Sequence, residues 1–282
     1  MADALPIVYV NGAFLPKAEA VISPFDRGFL FADAVYEVVP VFADKAVLLD
    51  NHLLRLANSL QELRIANPHT SAEWIQIINR LITDNGGGDV AIYIQVSRGA
   101  EDGRDHFYPN GITPTVFAMA TAITPGAKDT TGLSVITLED NRWGRCDIKS
   151  TSLLANIMAR QAGRDAGADD AILIKDGVLT EAGSASVITV EAGTIIARPN
   201  SNQLLPGTTR AMVLSLARGA GIPCKEDIIS AERLLQADEI WLMSATKGVV
   251  PVIRIDGQAV GTGSPGPVWQ RLHQLYEKAK TR

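Results

Sequence analysis

Lys149, in the segment RCDIKS at residues 145–150, is the side chain with the most direct route to covalent chemistry. It follows a predicted strand and precedes a predicted helix. A lysine in an apolar, partly buried setting becomes a nucleophile that forms Schiff bases with carbonyl cofactors. A lone lysine is far more often a solvated surface residue, so the interpretation of Lys149 depends on the other segments of the chain.

Glu181 lies in LTEAGSAS, residues 179–186, at the end of a predicted strand and before a loop of small residues. Taken alone, such a glutamate is more often a surface carboxylate. In a site that holds pyridoxal, an acidic residue faces the pyridine nitrogen and keeps it protonated, which makes the ring a better electron sink. Lys149 and Glu181 therefore offer complementary chemistry.

Two hydroxyl-rich turns could bind phosphate. In LLPGTTR, residues 204–210, Thr208 and Thr209 open a predicted helix, whose N-terminus offers free N–H groups and the positive end of the helix dipole. The alternative for this segment is a plain threonine N-cap. The second turn is SATKG, residues 244–248, which follows a predicted strand and by itself indicates only a turn.

Arg104 and His106 stand two residues apart in the loop GAEDGRDHFYP, residues 99–109. Arginine presents a planar fork of donors that matches a carboxylate, and histidine adds a further donor. The pair predicts a carboxylate-binding loop, with an ordinary solvated loop as the alternative.

The other histidines do not predict a metal site. His52 and His273 lie on predicted helices and His69 lies in a loop, and we interpret all three as structural or surface residues. No His/Cys cluster has metal-ligand spacing, and no glycine-rich nucleotide-binding motif is present.

The elements that would position these residues follow from hydrophobic periodicity. Leucines at helical spacing predict a helix over 50–63 with Asp50 as its N-cap, and a second apolar stripe predicts a helix over 71–83. Further helices are predicted over 150–167, from near Gly207 to Gly221 and from near Pro267. The helix over 150–167 would pack through one stripe of Leu153, Leu154, Ile157 and Met158.

Strands and hairpins on both sides of one linker predict two domains of α/β or α+β class. The linker is ITPGAKDTTG, residues 123–132, which is rich in Thr, Gly and Pro. We therefore expect an N-terminal domain over 1–122 and a C-terminal domain over 133–282. A site between two domains is a common place for a cofactor.

Composition excludes several classes of function. The 282 residues are 46% hydrophobic and 20% charged, as in an ordinary globular protein, and the net charge of -5 disfavours a nucleic-acid partner. No apolar run of about 18 residues predicts a membrane span, and the N-terminus does not resemble a signal peptide. The two cysteines, Cys146 and Cys224, are expected to be reduced thiols in a cytoplasmic protein.

Seven segments taken together resemble the fold-type IV pyridoxal-phosphate aminotransferases, most closely the D-amino-acid transaminases. They occur in the family's order and roughly its spacing, from about Val8 to Val260. The segments are FDRGFLFADAVYEVV, NHLLRL, YIQVSRG, RWGRCDIKS, LTEAGSAS, LLPGTTR and SATKGVVPV.

The resemblance implies a fold, a cofactor and a set of roles. The fold would be the two-domain fold of this family, with mixed sheets, flanking helices and pyridoxal 5'-phosphate between the domains. Lys149, in the C-terminal domain, would be the Schiff-base lysine and catalytic residue, and Glu181 would face the pyridine nitrogen. The implied phosphate and ring contacts are Arg55, Leu205, Thr208, Thr209, Ser244, Ala245 and Thr246.

The resemblance also implies the substrates and the assembly. Tyr36, Arg104 and His106 would form the pocket for the substrate carboxylate, with the last two reaching across from the other subunit of a homodimer. The expected reaction moves an amino group from a D-amino acid such as D-alanine to a 2-oxo acid such as 2-oxoglutarate.

Some positions depart from the family pattern. Ala32-Asp33-Ala34 stands where the family often has Gly-Asp-Gly, and the loop after Glu181 reads Ala-Gly-Ser-Ala-Ser instead of Gly-Ser-Ser-Ser-Asn. Ala245 replaces a threonine that is common in the phosphate turn, which removes one hydroxyl contact and keeps the backbone N–H. The loop that carries Arg104 is one residue longer.

Other functions stay open on the sequence alone. Within enzymes they are a branched-chain L-amino-acid transaminase, an (R)-amine transaminase and an aminodeoxychorismate lyase, which shares the lysine and glutamate. Outside transfer chemistry, the chain could be a non-catalytic pyridoxal-phosphate-binding protein or an unrelated two-domain binding protein. The Arg104 and His106 pair favours the D-amino-acid transaminase.

Overall fold

A computed structural model describes residues 3–281 of the chain. The chain folds into two compact units. The first comprises residues 3–124 together with Ile148–Ser152, and the second comprises Pro125–Asp147 and Leu153–Lys280.

The first unit is built on a six-stranded antiparallel sheet in the order β2-β1-β6-β5-β3-β4. One hydrophobic core joins this sheet to two amphipathic helices, which contribute Leu56 and Trp74 among others. The strands are β1 (Ala4–Val10), β2 (Ala13–Pro16), β3 (Ala34–Phe42), β4 (Lys45–Ala46), β5 (Val90–Ser97) and β6 (Thr115–Ala122), and the helices are α1 (Arg27–Phe31), α2 (Leu49–Glu62) and α3 (Ser71–Asp84).

The two long helices of the first unit begin differently. Helix α3 has a capping box, in which the Thr70 side chain accepts from the Glu73 N–H and the Glu73 side chain accepts from the Thr70 N–H. The N-cap of α2 is Leu48, with φ of 53°, so the prediction of Asp50 as N-cap is wrong. Asp50 lies inside the first turn, where its charge still complements the helix dipole.

The segment Ile148–Ser152, which carries Lys149, groups with the first unit, whereas the predicted C-terminal domain over 133–282 includes it. Ile148 is buried in the core of the first unit. Ser150 forms a β-bridge with Val35, and the backbone N–H of Thr151 donates to the carbonyl of Ala34 at 3.0 Å. These contacts fix the lysine segment against β3.

The second unit contains a nine-stranded mixed sheet in the order β12-β11-β10-β13-β14-β7-β8-β9, with β15 paired to β14. The pairs β11/β12, β14/β7 and β7/β8 are parallel. Its elements are β7 (Leu133–Glu139), α4 (Leu154–Asp165), β8 (Asp170–Lys175), β9 (Val178–Ala182), β10 (Ser186–Glu191), β11 (Thr194–Ala197), α5 (Thr208–Gly219), β12 (Cys224–Glu226), α6 (Ala231–Leu235), β13 (Glu239–Ser244), β14 (Gly248–Ile255), β15 (Gln258–Ala259) and α7 (Pro267–Ala279).

Strand β13 is buried on both faces of this sheet. Ile240 and Leu242 belong to one hydrophobic cluster, while Trp241 and Met243 belong to another that includes residues of α5 and α7. Because successive side chains of a strand point to opposite faces, the alternation places one cluster on each side.

Helix α4 does not pack through its predicted apolar stripe. Leu154, Ile157 and Met158 are 71%, 62% and 64% exposed, and the buried residues of the helix are Ala159 and Gly163. A Cβ at Gly163 would lie 2.9 Å from the carbonyl oxygen of Asp170. The helix therefore approaches β8 closely through small residues, which leaves its large apolar side chains outside the unit.

Helices within residues 3–281 are too short or too polar to cross a bilayer. Both cysteines are free thiols. No group of three or more His, Cys, Asp or Glu in the described part of the chain could hold a metal ion.

Candidate active site

Backbone hydrogen bonds fix the position of Lys149, and its side-chain amine has no carboxylate partner in residues 3–281. Its carbonyl accepts from the Tyr36 N–H at 2.9 Å, and its own N–H donates to Ser59 Oγ at 3.2 Å. The side chain is half-buried, and Nζ lies 4.1 Å from the centroid of the Tyr36 ring. Within residues 3–281 no carboxylate pairs with this amine. An amine over an aromatic face with no fixed anion is available for reaction.

The Tyr36 ring belongs to an aromatic stack on the six-stranded sheet of the first unit. Its ring stacks on that of Tyr93 with centroids 5.7 Å apart, and the Tyr93 hydroxyl donates to Gln95 Oε1 at 2.7 Å. Burial, with a smaller effect from Tyr36, raises the pKa of Tyr93 to about 12. The Tyr93 phenol therefore stays neutral beside the Tyr36 ring that faces the lysine.

Arg55 belongs to a buried charge cluster with Glu37 and His52. Arg55 Nε donates to Glu37 Oε1 at 2.6 Å and a terminal nitrogen donates to Oε2 at 2.9 Å, while His52 Nδ1 lies 2.7 Å from Oε2. Burial alone would raise the pKa of Glu37, but the Arg55 and His52 contacts hold it at about 2. The carboxylate is therefore ionised and fixes the guanidinium. Sequence reasoning missed Glu37, although its place one residue after Tyr36 on a buried strand was a signal.

Glu181 belongs to a second charge cluster, in the second unit. It forms a short ion pair with Arg142, and its Oε1 accepts from the backbone N–H of Leu205 at 2.9 Å. Arg142 also pairs with Asp140 at 2.8 Å, and the Thr180 hydroxyl donates to Asp140 at 2.6 Å. The cluster brings two sequence-predicted residues, Glu181 and Leu205, into direct contact.

Arg142 was not predicted as a site residue, although it lies in RWGRCDIKS. Burial lowers the pKa of Arg142, but hydrogen bonds and charges from Asp140 and Glu181 raise it overall. Burial also raises the pKa of Asp140, and Arg142 with Thr180 lowers it overall. Both groups are charged at neutral pH. The signal for Arg142 was its short distance in sequence from Lys149.

Helix α5 begins without a side-chain cap, at Gly207. Its first residues, Thr208 and Thr209, are buried. A Cβ at Gly207 would lie 2.5 Å from Ser186 Oγ, so a larger residue there would require that hydroxyl to move. The plain threonine N-cap that was the alternative to a phosphate site is therefore wrong, because both threonines lie inside the helix.

The turn of Ser244, Ala245 and Thr246 connects β13 to β14 and is half-buried. The strands pair up to Ser244 and Gly248, which fixes the turn. It contains two hydroxyl side chains, and its role as a phosphate-binding turn stays a prediction.

Arg104 and His106 lie together in an exposed loop of the first unit. The Arg104 guanidinium lies 4.6 Å from the centroid of the Phe31 ring, and the His106 ring lies 5.4 Å from it. Both side chains are exposed. Within residues 3–281 no hydrogen bond or ring contact joins either of them to Tyr36, the third residue of the predicted carboxylate pocket.

A family model described as "Amino-transferase class IV" matches residues 34–255. The chain belongs to the class IV aminotransferase family. The matched segment includes Tyr36, Lys149 and Glu181, and the predicted membership of the fold-type IV aminotransferases is confirmed.

Curated and solved relatives agree with this family. The D-alanine aminotransferase of Bacillus licheniformis is 38% identical over 97% of this chain and 99% of its own length. The branched-chain amino acid aminotransferase of Escherichia coli matches with a TM-score of 0.91 at 22% identity, over 99% of this chain and 95% of that one. The T.th. branched-chain amino acid aminotransferase, complexed with N-(5'-phosphopyridoxyl)-L-glutamate, matches with a TM-score of 0.89 at 26% identity, over 100% of this chain and 95% of that one.

These similarities confirm the predicted fold class, with mixed sheets and flanking helices. They also confirm that the chain is an aminotransferase and that pyridoxal phosphate is its cofactor.

Proposed function

We propose that the chain transfers an amino group from a D-amino acid, such as D-alanine, to a 2-oxo acid, such as 2-oxoglutarate. The observation that carries this proposal is similarity along the full chain to a D-alanine aminotransferase, at 38% identity. The solved branched-chain relatives are less similar in sequence, at 22% and 26% identity, and support the fold more than the substrate.

The residues present fit the chemical groups of pyridoxal phosphate. The carbonyl requires an amine, and Lys149 has one with no ion-pair partner in residues 3–281. The ring nitrogen requires an acid, for which Glu181 is held in place by Arg142. The phosphate requires cations and N–H donors, and these would come from Arg55, the uncapped start of α5 and the turn at 244–246.

Lys149 would perform the covalent and proton-transfer steps. Its amine would hold the carbonyl group of the cofactor and would be released when the amino group of the substrate takes its place. The released amine would then act as the base that removes the proton from the substrate Cα. Bound pyridoxal phosphate supplies the electron sink for the negative charge left on Cα. Because the first product leaves before the second substrate binds, ping-pong kinetics are expected.

Arg104, His106 and Tyr36 would bind the substrate carboxylate. Holding that group at a fixed point decides which face of Cα is turned toward Lys149. This is the proposed origin of selectivity for D-amino acids, since the L-enantiomer would present its hydrogen to the opposite side.

The decisive variant is Lys149→Ala. Turnover should be abolished, while the circular dichroism and the unfolding midpoint of the cofactor-free protein remain close to those of the cofactor-free wild type, because the backbone contacts of residue 149 are kept. Arg80→Ala, a change at an exposed arginine of the first unit, serves as the control. Normal turnover by Lys149→Ala would remove Lys149 from the mechanism.

A homodimer is part of the proposal. Large apolar side chains are exposed on both units, among them Phe29 at 76%, Phe107 at 82% and Leu154 at 71%. Exposed apolar groups of this size are typical of interaction surfaces. We expect a dimer in sedimentation experiments, and a monomer at micromolar concentration would contradict it.

Mixing Lys149→Ala, which should be inactive, with Arg104→Ala, which should bind D-alanine weakly, tests whether Arg104 acts across the dimer. A heterodimer of Lys149→Ala and Arg104→Ala contains one intact site only if Arg104 comes from the other subunit. Recovery of activity on mixing supports this arrangement, and no recovery from a heterodimer that has formed would place Arg104 in its own subunit's site.

A cytoplasmic location is proposed from the two free thiols, Cys146 and Cys224. Burial raises the pKa of Cys146 to about 11, although Arg142 opposes this, so the thiol is unreactive. Cell fractionation would test the location, and recovery from a secreted fraction would contradict it.

A non-catalytic pyridoxal-phosphate-binding protein is the second candidate. It would bind the cofactor and show its visible absorbance, yet it would react with no amino donor. The reaction of the bound cofactor with an amino donor distinguishes the two candidates, because both would use the Lys149 amine to hold the cofactor.

A further inference from the structure

Arg27, the first residue of α1, is buried beneath the loop that carries Arg104 and His106. Its side chain is 3% exposed. Nη1 donates to Glu101 Oε1 at 2.5 Å, at the start of this loop. A buried guanidinium is kept in a fixed position by its partners, because leaving any of its donors unsatisfied carries a desolvation cost.

The same guanidinium reaches the centre of the loop. Nη1 donates to the carbonyl of Asp105 at 2.6 Å and lies 3.4 Å from that of Phe107. Asp105 is the residue between Arg104 and His106. A single side chain therefore binds the backbone at the point from which both carboxylate-binding residues project.

Asp33 holds Arg27 from the other side. Its Oδ2 accepts from Arg27 Nε at 3.0 Å and from Arg98 Nε at 2.7 Å, and its Oδ1 accepts from Arg98 Nη2 at 2.9 Å. Arg98 also donates to the carbonyls of Leu63 and Arg64 at the end of α2. Arg27 is thus attached to the rigid part of the first unit.

Phe31, at the end of α1, supports the side chains of the loop. Arg27 and Arg104 lie over its ring at 4.7 Å and 4.6 Å, and His106 packs against it at 5.4 Å. Stacking on an aromatic face restricts an exposed arginine that has no carboxylate partner. The ring therefore keeps Arg104 and His106 next to one another.

The ends of the loop are also fixed. Gly99 has φ of +116°, and a Cβ there would lie 2.0 Å from the carbonyl oxygen of Thr113. The Arg27 N–H donates to the Gly99 carbonyl at 2.9 Å, and Asp26 forms a β-bridge with Ala100. With its ends closed, the loop has its remaining freedom in residues 101–108, where Arg27 binds.

We propose that Arg27 and Phe31 are positioning residues that fix Arg104 and His106 for binding the substrate carboxylate. This inference rests on the proposed function, in which these two residues bind that group. Arg27 acts through the loop backbone, and Phe31 acts through the two side chains.

Limited proteolysis tests the structural half without any substrate. In Arg27→Gln, trypsin should cleave after Arg104 about tenfold faster or more, because the loop loses the guanidinium that binds the backbone next to this site. Arg27→Lys, which keeps the charge and loses the planar fork, should fall between Arg27→Gln and the wild type. An unchanged cleavage rate would overturn the inference.

Kinetics test the functional half on the holoenzyme. Arg27→Gln and Phe31→Leu should raise KM for D-alanine about tenfold with a much smaller change in kcat, as expected for lost carboxylate binding. The reaction with D-alaninamide, which has no carboxylate, should not change. Phe14→Leu is the matched control, because Phe14 lies under Arg80 at 4.1 Å, away from this loop. Phe31→Leu keeps the test decisive if Arg27→Gln fails to fold.

A double variant shows whether Arg27 acts through Arg104. In an Arg104→Ala background, Arg27→Gln should add no more than about a twofold further rise in KM. Equal losses for D-alanine and D-alaninamide, or full additivity in the double variant, would overturn the positioning role. A wild-type protein that accepts no amino acid would instead overturn the proposed function in the first assay, before any variant is compared.

Discussion

The two units contain charge clusters of opposite design. In the first unit a buried anion, Glu37, holds Arg55, the cation that we assign to the cofactor phosphate. In the second unit a buried cation, Arg142, holds Glu181, the anion that we assign to the ring nitrogen. In each cluster, the charge that we assign to the cofactor is held by a buried counter-charge.

The two clusters differ in the number and type of partners that the buried holding residue, Glu37 or Arg142, has. Glu37 is 0% exposed and is shared between Arg55 and His52. Arg142 is shared between two carboxylates, Glu181 and Asp140. In the first cluster one carboxylate, Glu37, binds both Arg55 and His52, whereas in the second cluster Arg142 keeps Asp140 as a partner if Glu181 is lost.

The largest effect is expected from Glu37→Gln, which breaks the first cluster. Arg55 and His52 would lose the Glu37 carboxylate, and removing one partner of a buried ion pair costs about 3–5 kcal/mol. Urea unfolding of the cofactor-free protein should show this loss, and affinity for pyridoxal phosphate should fall as well.

Glu239→Gln is the matched control for this variant. Glu239 is a buried carboxylate that accepts from the N–H groups of Val268 and Trp269 at the start of α7 and from the Trp241 indole. Its loss should reduce stability but leave cofactor affinity unchanged. If Glu37→Gln were no less stable than wild type, Glu37 would not hold Arg55 as we describe.

The pH dependence of stability gives the second largest effect. Because the pKa of Glu37 falls from 4.5 to about 2 on folding, its stabilisation is complete above pH 4.5. This stabilisation, which is on the order of 3 kcal/mol, is lost as the pH falls toward 2. Unfolding free energies between about pH 5 and pH 2 should fall less steeply in Glu37→Gln than in wild type. Equal slopes would contradict the assignment.

Arg142→Gln removes the cation that holds Glu181 in the second unit. Glu181 would lose the guanidinium that orients it, so kcat should fall about a hundredfold with a smaller change in KM. Stopped-flow and steady-state kinetics measure this. Arg233→Gln, at a surface ion-pair network of the same unit, should behave as wild type. A variant with wild-type kcat would show that Glu181 needs no holding charge.

Ala245→Thr should have the smallest effect. A threonine would add one hydroxyl to the turn assigned to the phosphate, and a single added hydrogen bond contributes about 1 kcal/mol. Cofactor affinity measured by titration should rise a few fold. Weaker binding would show that the turn has no room for a side chain larger than alanine.

Much of the fold followed from periodicity in the sequence. The leucines of α2 and the apolar stripe of α3 predicted helices whose ends lie close to those observed, because amphipathic helices that cover a sheet carry a clear repeat. The same logic failed for α4. Its large apolar residues are exposed, and its packing through Ala159 and Gly163 leaves no hydrophobic signal.

The candidate site was predictable only where the chemistry resides in a single motif. Lys149, Glu181 and the threonines of α5 stand in recognisable segments. Glu37, Arg142 and Arg27 act by pairing with residues that are distant in the chain, such as Glu181 for Arg142, 39 residues away. Such pairs have no local spacing, so the sequence can mark Glu37 and Arg142 by their neighbours but only the folded chain shows what they bind.

The central claim is tested most directly by a half-reaction. The purified protein with bound pyridoxal phosphate would be mixed separately with D-alanine, L-leucine and (R)-1-phenylethylamine, and the absorbance band of the lysine-bound cofactor followed over time. We predict loss of the band with D-alanine alone. Loss with L-leucine instead would contradict the proposed D-amino-acid specificity and the Arg104 and His106 assignment, and no visible band even after added cofactor would contradict the role of Lys149.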